Sequence, residues 1–151
     1  MRSAIFYGIA LRPPKDFLSI STKAPELVVH AARTVVSEED VGRIVEVLWT
    51  EFFGKGDSTL FTSDPWSLKP LIAPLFSAEI VESILTKAHE MEETLRSTTD
   101  EALAAGAFGA PIMLITKDDQ TQFFFGSDRF HHIAQFLSTD PRPLYTPQSK
   151  L

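Results

Sequence analysis

The chain contains no cysteine. That excludes a C-x-x-C disulfide oxidoreductase, a cysteine nucleophile and thiolate metal sites. Any thiol chemistry must then use a thiol carried by a substrate or cofactor. No apolar run reaches the roughly 18 residues that a membrane span requires. The amino-terminal stretch has Arg2 and a short apolar run, but Gly8 breaks it, and it is too weak for a signal peptide. Positive charge is scarce: 14 Lys and Arg stand against 20 Asp and Glu, a net charge of −6. Such a balance argues against nucleic acid or an anionic membrane as partner. Metal-binding patterns are also missing. His89, Glu90, Glu92 and Glu93 lack the H-E-x-x-H spacing and read as a solvated helix face. His131 and His132 are helix neighbours about 100° apart, unable to hold one ion together. There is no internal repeat, and the only biased tract is a Pro-rich tail.

What is present is the composition of a folded domain. A length of 151 residues, 44% hydrophobic and 23% charged, fits one globular unit. The organisation expected is an N-terminal segment (1–19), a helical insert (20–105), the C-terminal half of an α/β domain (106–140) and a tail (141–151). In the helical part, Thr22 can cap a helix with Pro25 near its start and a stripe of Leu27, Val28, Ala31, Ala32 and Val35. Ser37 followed by Glu38, Glu39 and Asp40 opens a second helix, acids in its first turn. Its stripe is Val41, Ile44, Val45, Leu48, Trp49 and Phe52, which puts Trp49 in the core. Residues 53–65 read as a loop. Asp64-Pro65 starts a short helix that Pro70 and Pro74 interrupt. Ser77 begins another, with Ile80, Val81, Ile84, Leu85 and Ala88, and a last helix runs from about Met91 to Ala105.

The most informative block is Gly106 to Arg129. It reads GAFGAPIMLI, a polar turn TKDDQT, then QFFFGSDR. Two apolar runs around a short polar loop predict a β-hairpin. Pro111 fixes φ and removes a donor, and an X-Pro bond in a tight turn can be cis, which is expected here. Such a turn can leave the amide and carbonyl of Ala110 unpaired, open to an extended peptide. Ser127 and Asp128 sit where a helix begins, with Phe130, Ile133, Ala134 and Leu137 at i, i+3, i+4, i+7. Free amides there attract an anion, and Asp128 can hold an ammonium group. A ligand with both charges on one α-carbon suits this corner. The plainer alternative is that Ser or Asp is an N-cap and Gly-Ala-Pro only a turn.

The string GAFGAP, the apolar strand, FFGSDRF and the closing helix together resemble kappa-class glutathione transferases. These are thioredoxin-like enzymes related to DsbA oxidoreductases and 2-hydroxychromene-2-carboxylate isomerases. PKDFLS at 14–19 resembles the entry to the family's helical insert, and LRSTTDEALAAGAFGAP its approach to a cis-proline. The resemblance covers residues 11–151. It implies an α/β, thioredoxin-like fold of the DsbA/kappa type: an all-helical insert, then a C-terminal hairpin plus helix. It also implies that the Ala110 backbone pairs with the cysteinyl unit of glutathione, Pro111 being the cis-proline. Ser127 and Asp128 would hold the γ-glutamyl end. Implied partners are glutathione, a small electrophilic or peroxide substrate, and a second copy in a homodimer, with detoxification as the role.

The family's activating Ser lies in a motif resembling S-P-Y-S-[WY], inside a βαβ unit of about 30 or more residues. The thirteen residues before Pro14, MRSAIFYGIALRP, hold no such motif, and Ser3 is followed by Ala-Ile-Phe-Tyr. No catalytic residue is assigned. The chain is thus expected to be incomplete, as a truncated product, a partner-completed one or a non-catalytic remnant, with a bare edge at 111–116. Weak binding and slow turnover are expected. A glutathione-dependent isomerase and a non-catalytic dimerisation module are the alternatives. Ser149-Lys150-Leu151 at the C-terminus matches the tripeptide read by the peroxisomal import receptor, which predicts a peroxisomal location.

Overall fold

The computed structural model describes residues 8–15 and 18–139. The Pro-rich tail and the tripeptide Ser149–Leu151 lie outside the described residues, as does much of the segment 1–19. Two compact units divide between Thr98 and Thr99.

The first unit is helical. Helix α1 (Lys23–Ala32) follows Thr22 and buries Leu27, Val28, Ala31 and Ala32 of its expected stripe, with Ala24 added; Val35, expected in the same stripe, lies beyond the helix end and is half-buried. The Thr22 hydroxyl does not cap the backbone; it donates to Glu26 Oε1 at 2.8 Å. Helix α2 (Glu38–Trp49) is capped by Ser37, whose hydroxyl accepts from the Asp40 amide at 3.2 Å. Three acids in its first turn complement the helix dipole. The helix then rewinds through a six-residue π turn, Thr50–Lys55, where a loop beginning at Phe53 was expected.

Asp64 caps a 3-10 turn, Pro65–Leu68, by accepting from the Trp66 amide at 3.0 Å. Pro70 and Pro74 each sit in the first turn of a short element, α3 (Lys69–Ile72) and a 3-10 turn (Ala73–Leu75). Proline fits there because those amides have no intrahelical partner. Helix α4 (Ala78–Ala88) buries Val81, Ile84, Leu85 and Ala88, and packs along α1. Those four residues, with the buried faces of α1 and α2 and with Leu68 and Ile72, form one core. Lys23 and Glu92 add an exposed tie at 2.8 Å.

Helix α5 (Glu92–Ala104) runs across the division. It ends in a Schellman motif. Gly106 has φ +87°, its amide donates to Leu103 O at 2.9 Å, and the Ala107 amide reaches Ala102 O at 2.9 Å.

The second unit is a hairpin with a helix on one face. Strands β1 (Ile112–Lys117) and β2 (Gln120–Phe125) pair antiparallel, Ile112 opposite Phe125 and Lys117 opposite Gln120. Asp118 and Asp119 alone form the loop, at φ +48° and +60°, the signature of a type I′ turn. Helix α6 (Phe130–Leu137) packs on β1, with Ile133 buried and Phe136 6.2 Å from Phe124. Lys117 Nζ donates to Ser138 Oγ at 2.8 Å. The sheet has two strands, so among the described residues the outer edge of β1 is unpaired. The mixture of helices with this hairpin and closing helix is that of an incomplete thioredoxin-like fold.

The candidate glutathione site

The hairpin opens at the end opposite its turn. There the Gly126 amide donates to Pro111 O at 3.0 Å, one step beyond the Ile112–Phe125 pair. Pairing ends at that bond, so Ala110 on one side and Ser127 and Asp128 on the other are the next residues past the closed end. The structure therefore brings Ala110, Pro111, Ser127 and Asp128 to one end of one hairpin. The Ala110–Pro111 peptide bond is cis.

Neither the amide nor the carbonyl of Ala110 has a partner among the described residues. An exposed donor and acceptor on one residue make a minimal strand edge, able to take one antiparallel residue of an extended ligand. The Ser127 hydroxyl also lacks a partner among the described residues. Asp128 is 72% exposed, and its carboxylate lies 3.6 Å from Arg129 Nη1. The Arg129 Nε donates instead to Phe125 O at 3.3 Å, so the guanidinium is held on the strand end.

One part of the expectation is corrected. Helix α6 starts at Phe130, as its spacing predicts, but Arg129 occupies the N-cap position and no side chain caps the helix. Ser127 and Asp128 stand in the turn before it. The Asp128 carboxylate folds back over Gly126: a Cβ placed on Gly126 would sit 2.6 Å from Asp128 Oδ1. Gly126 also has φ +100°, a conformation side chains disfavour. Asp128 is thus turned toward the opened hairpin end rather than toward the helix amides, which suits an ammonium group.

In the sequence, Gly126 follows the apolar run QFFF and marks no more than the end of a strand. Its amide–Pro111 bond closes the hairpin end. Phe108 joins the hairpin without a local motif of its own to mark it. Its ring lies 4.8 Å from Phe125 and 5.7 Å from Phe123, on the hairpin face opposite α6, and it is 71% exposed. The alternation of Phe123 and Phe125 with the Gly-flanked Phe108 was the available signal. A second correction concerns Trp49, expected in the core and found 62% exposed. It sits at the edge of the α2 stripe, where the helix widens into the π turn. Among the described residues no group of His, Asp and Glu is arranged to hold a metal, and no helix is long and apolar enough to cross a membrane.

A helical insert followed by a hairpin and closing helix defines a class, and comparison with known proteins agrees. The model of the DSBA-like thioredoxin domain matches residues 1–138. The chain belongs to that family. Within it, the chain is similar to kappa-class glutathione transferases. It is 35% identical over 145 residues to glutathione S-transferase kappa 2 of Caenorhabditis elegans, covering 90% of this chain and 62% of the relative. Glutathione S-transferase kappa 1 of the same animal is 29% identical over 147 residues, 95% of this chain and 64% of the relative. The human glutathione S-transferase kappa 1 is 30% identical over 135 residues, 85% of this chain and 58% of the relative. The chain thus spans less than two thirds of the length of these relatives.

Proposed function

We propose that this chain binds glutathione at the open end of the hairpin and serves a kappa-transferase-like reaction. The observation that carries the reading is the unpartnered backbone of Ala110 at the hairpin end from which the chain runs on into Ser127 and the exposed Asp128. The cysteinyl unit of glutathione pairs with the Ala110 amide and carbonyl. Its γ-glutamyl α-carboxylate takes the Ser127 hydroxyl, and its α-ammonium takes Asp128. The similarity to proteins named glutathione S-transferase kappa supports the choice of ligand.

The chemistry proposed is conjugation of glutathione to small electrophiles, or reduction of peroxides by it, in a detoxifying role. Both need the thiolate, since the thiol is a poor nucleophile. Ala110, Ser127 and Asp128 position the tripeptide; none of them is assigned to its sulfur. Binding without a group aimed at the reacting atom does not raise turnover. The isolated 151-residue chain is accordingly expected to bind glutathione and to react slowly with a chlorodinitrobenzene acceptor. Rapid turnover by this chain would show that one of its own residues activates the thiol.

A homodimer through the outer edge of β1 and import into peroxisomes through Ser149–Leu151 complete the proposal. A tagged chain lacking the last three residues should stay in the cytosol, and unchanged peroxisomal import would remove the targeting part.

A further inference from the structure

The helical unit contains a cavity of about 370 Å³ that none of the glutathione-site residues touches. One wall is aromatic. Trp49 lies 5.1 Å from Phe53, Phe53 4.8 Å from Phe52, and Phe52 4.8 Å from Phe61, ring centre to ring centre. The π turn at Thr50–Lys55 supplies two of these rings, and such local widening of a helix is frequent at functional sites. The Trp49 indole at this wall is left largely to water.

The facing rim is polar. Thr22, Glu26 and His30 recur at four-residue intervals at the start of α1 and along it, and all three line the cavity. The Thr22 hydroxyl occupies Glu26 Oε1 and leaves Oε2 open. Among the described residues no Lys, Arg or His forms an ion pair with Glu26. Aromatic faces and a free carboxylate oxygen select the same kind of guest. The rings stack on a planar system and attract positive charge, and the carboxylate accepts from a protonated nitrogen. An anion would meet the Glu26 carboxylate, with His30 the one basic group on the rim. The size lies within the range of small-molecule sites.

We propose that this cavity is a binding site for a flat, two- or three-ring aromatic cation, separate from the glutathione site. The purified chain is titrated calorimetrically with aminoacridine, a tricyclic cation, and with the anionic anilinonaphthalene sulfonate. Saturable one-to-one binding of aminoacridine, tighter than that of the anion, is expected. Trp49→Ala should weaken it about tenfold or more. Glu26→Gln, at an exposed position outside the core, should weaken aminoacridine several-fold without weakening the anion. Asp128→Ala should leave aminoacridine binding unchanged. Tighter binding of the anion, an unchanged affinity in Trp49→Ala or Glu26→Gln, or no saturable binding would each overturn the proposal. So would a shift of Trp49→Ala from dimer to monomer without aminoacridine binding, which would make the cavity an interface between copies.

Discussion

At Gly126 a φ of +100° and the Asp128 carboxylate together exclude a side chain. Its amide also closes the hairpin end onto Pro111. Gly126→Ala is expected to cost about 1–2 kcal/mol from the left-handed backbone alone, plus displacement of the Asp128 side chain. Denaturant unfolding should show the loss, and glutathione affinity should fall with it. Wild-type affinity in Gly126→Ala would mean that Asp128 can bind from another position. The turns around the candidate site are legible because their residues have strong local preferences, whereas Ala110, which would act only through its backbone, carries no such signature. Pro111 and Gly126 stop regular structure, and Ser127 and Asp128 favour turns. The sequence misplaced the cap, because Ser, Asp and Arg in succession offer several ways to start a helix, and the carboxylate's return onto Gly126 decides among them. Helical spacing puts Trp49 in the core only if the period continues, and at Thr50 it does not.

Among the elements, α2 and the hairpin give the clearest tests. The Ser37 hydroxyl, and after it Arg43, hold the Asp40 carboxyl below its ordinary pKa. A lowered folded pKa stabilises the native state above the unfolded value of about 3.9. That stabilisation is lost as pH falls from there through the lower folded value. The urea midpoint should therefore drop more steeply below about pH 4 in the wild type than in Asp40→Asn. Parallel pH profiles would remove this role. In the hairpin, Asp118 and Asp119 both hold positive φ, where Asn-Gly is preferred. Replacing them with Asn-Gly should stabilise the second unit by about 1 kcal/mol, seen as slower amide exchange along β1 and β2. Helix α2 and the turn at Pro65 were legible from their caps, since Ser37 and Asp64 accept backbone amides, whereas Thr22 and Ser77 precede their helices without capping them. The π turn was not, because Phe52 and Phe53 fit a helix end and a loop equally well until the core claims Phe52.

At the scale of the whole molecule, the chain divides into a helical unit with its own core and a small hairpin unit that carries the proposed glutathione site. Ile84 is fully buried in the first. Ile84→Ala should cost about 2–5 kcal/mol by cavity formation, with loss of helical signal on denaturation at lower urea. The fold class was readable because the GAFGAP and FFGSDR segments define one hairpin end, and those same residues carry the functional reading. The aromatic cavity was not readable, since Thr22, Glu26 and His30 come together with Trp49 and Phe53 only after α1 and α2 pack.

The most direct test of the central claim is a calorimetric titration of the purified chain with reduced glutathione, repeated on Asp128→Ala. Losing one charge-assisted bond should weaken binding by roughly tenfold, about 1.4 kcal/mol. Saturable one-to-one binding that Asp128→Ala weakens in this way is the predicted result. No measurable binding by the wild type, or equal affinity in the two proteins, would contradict the account.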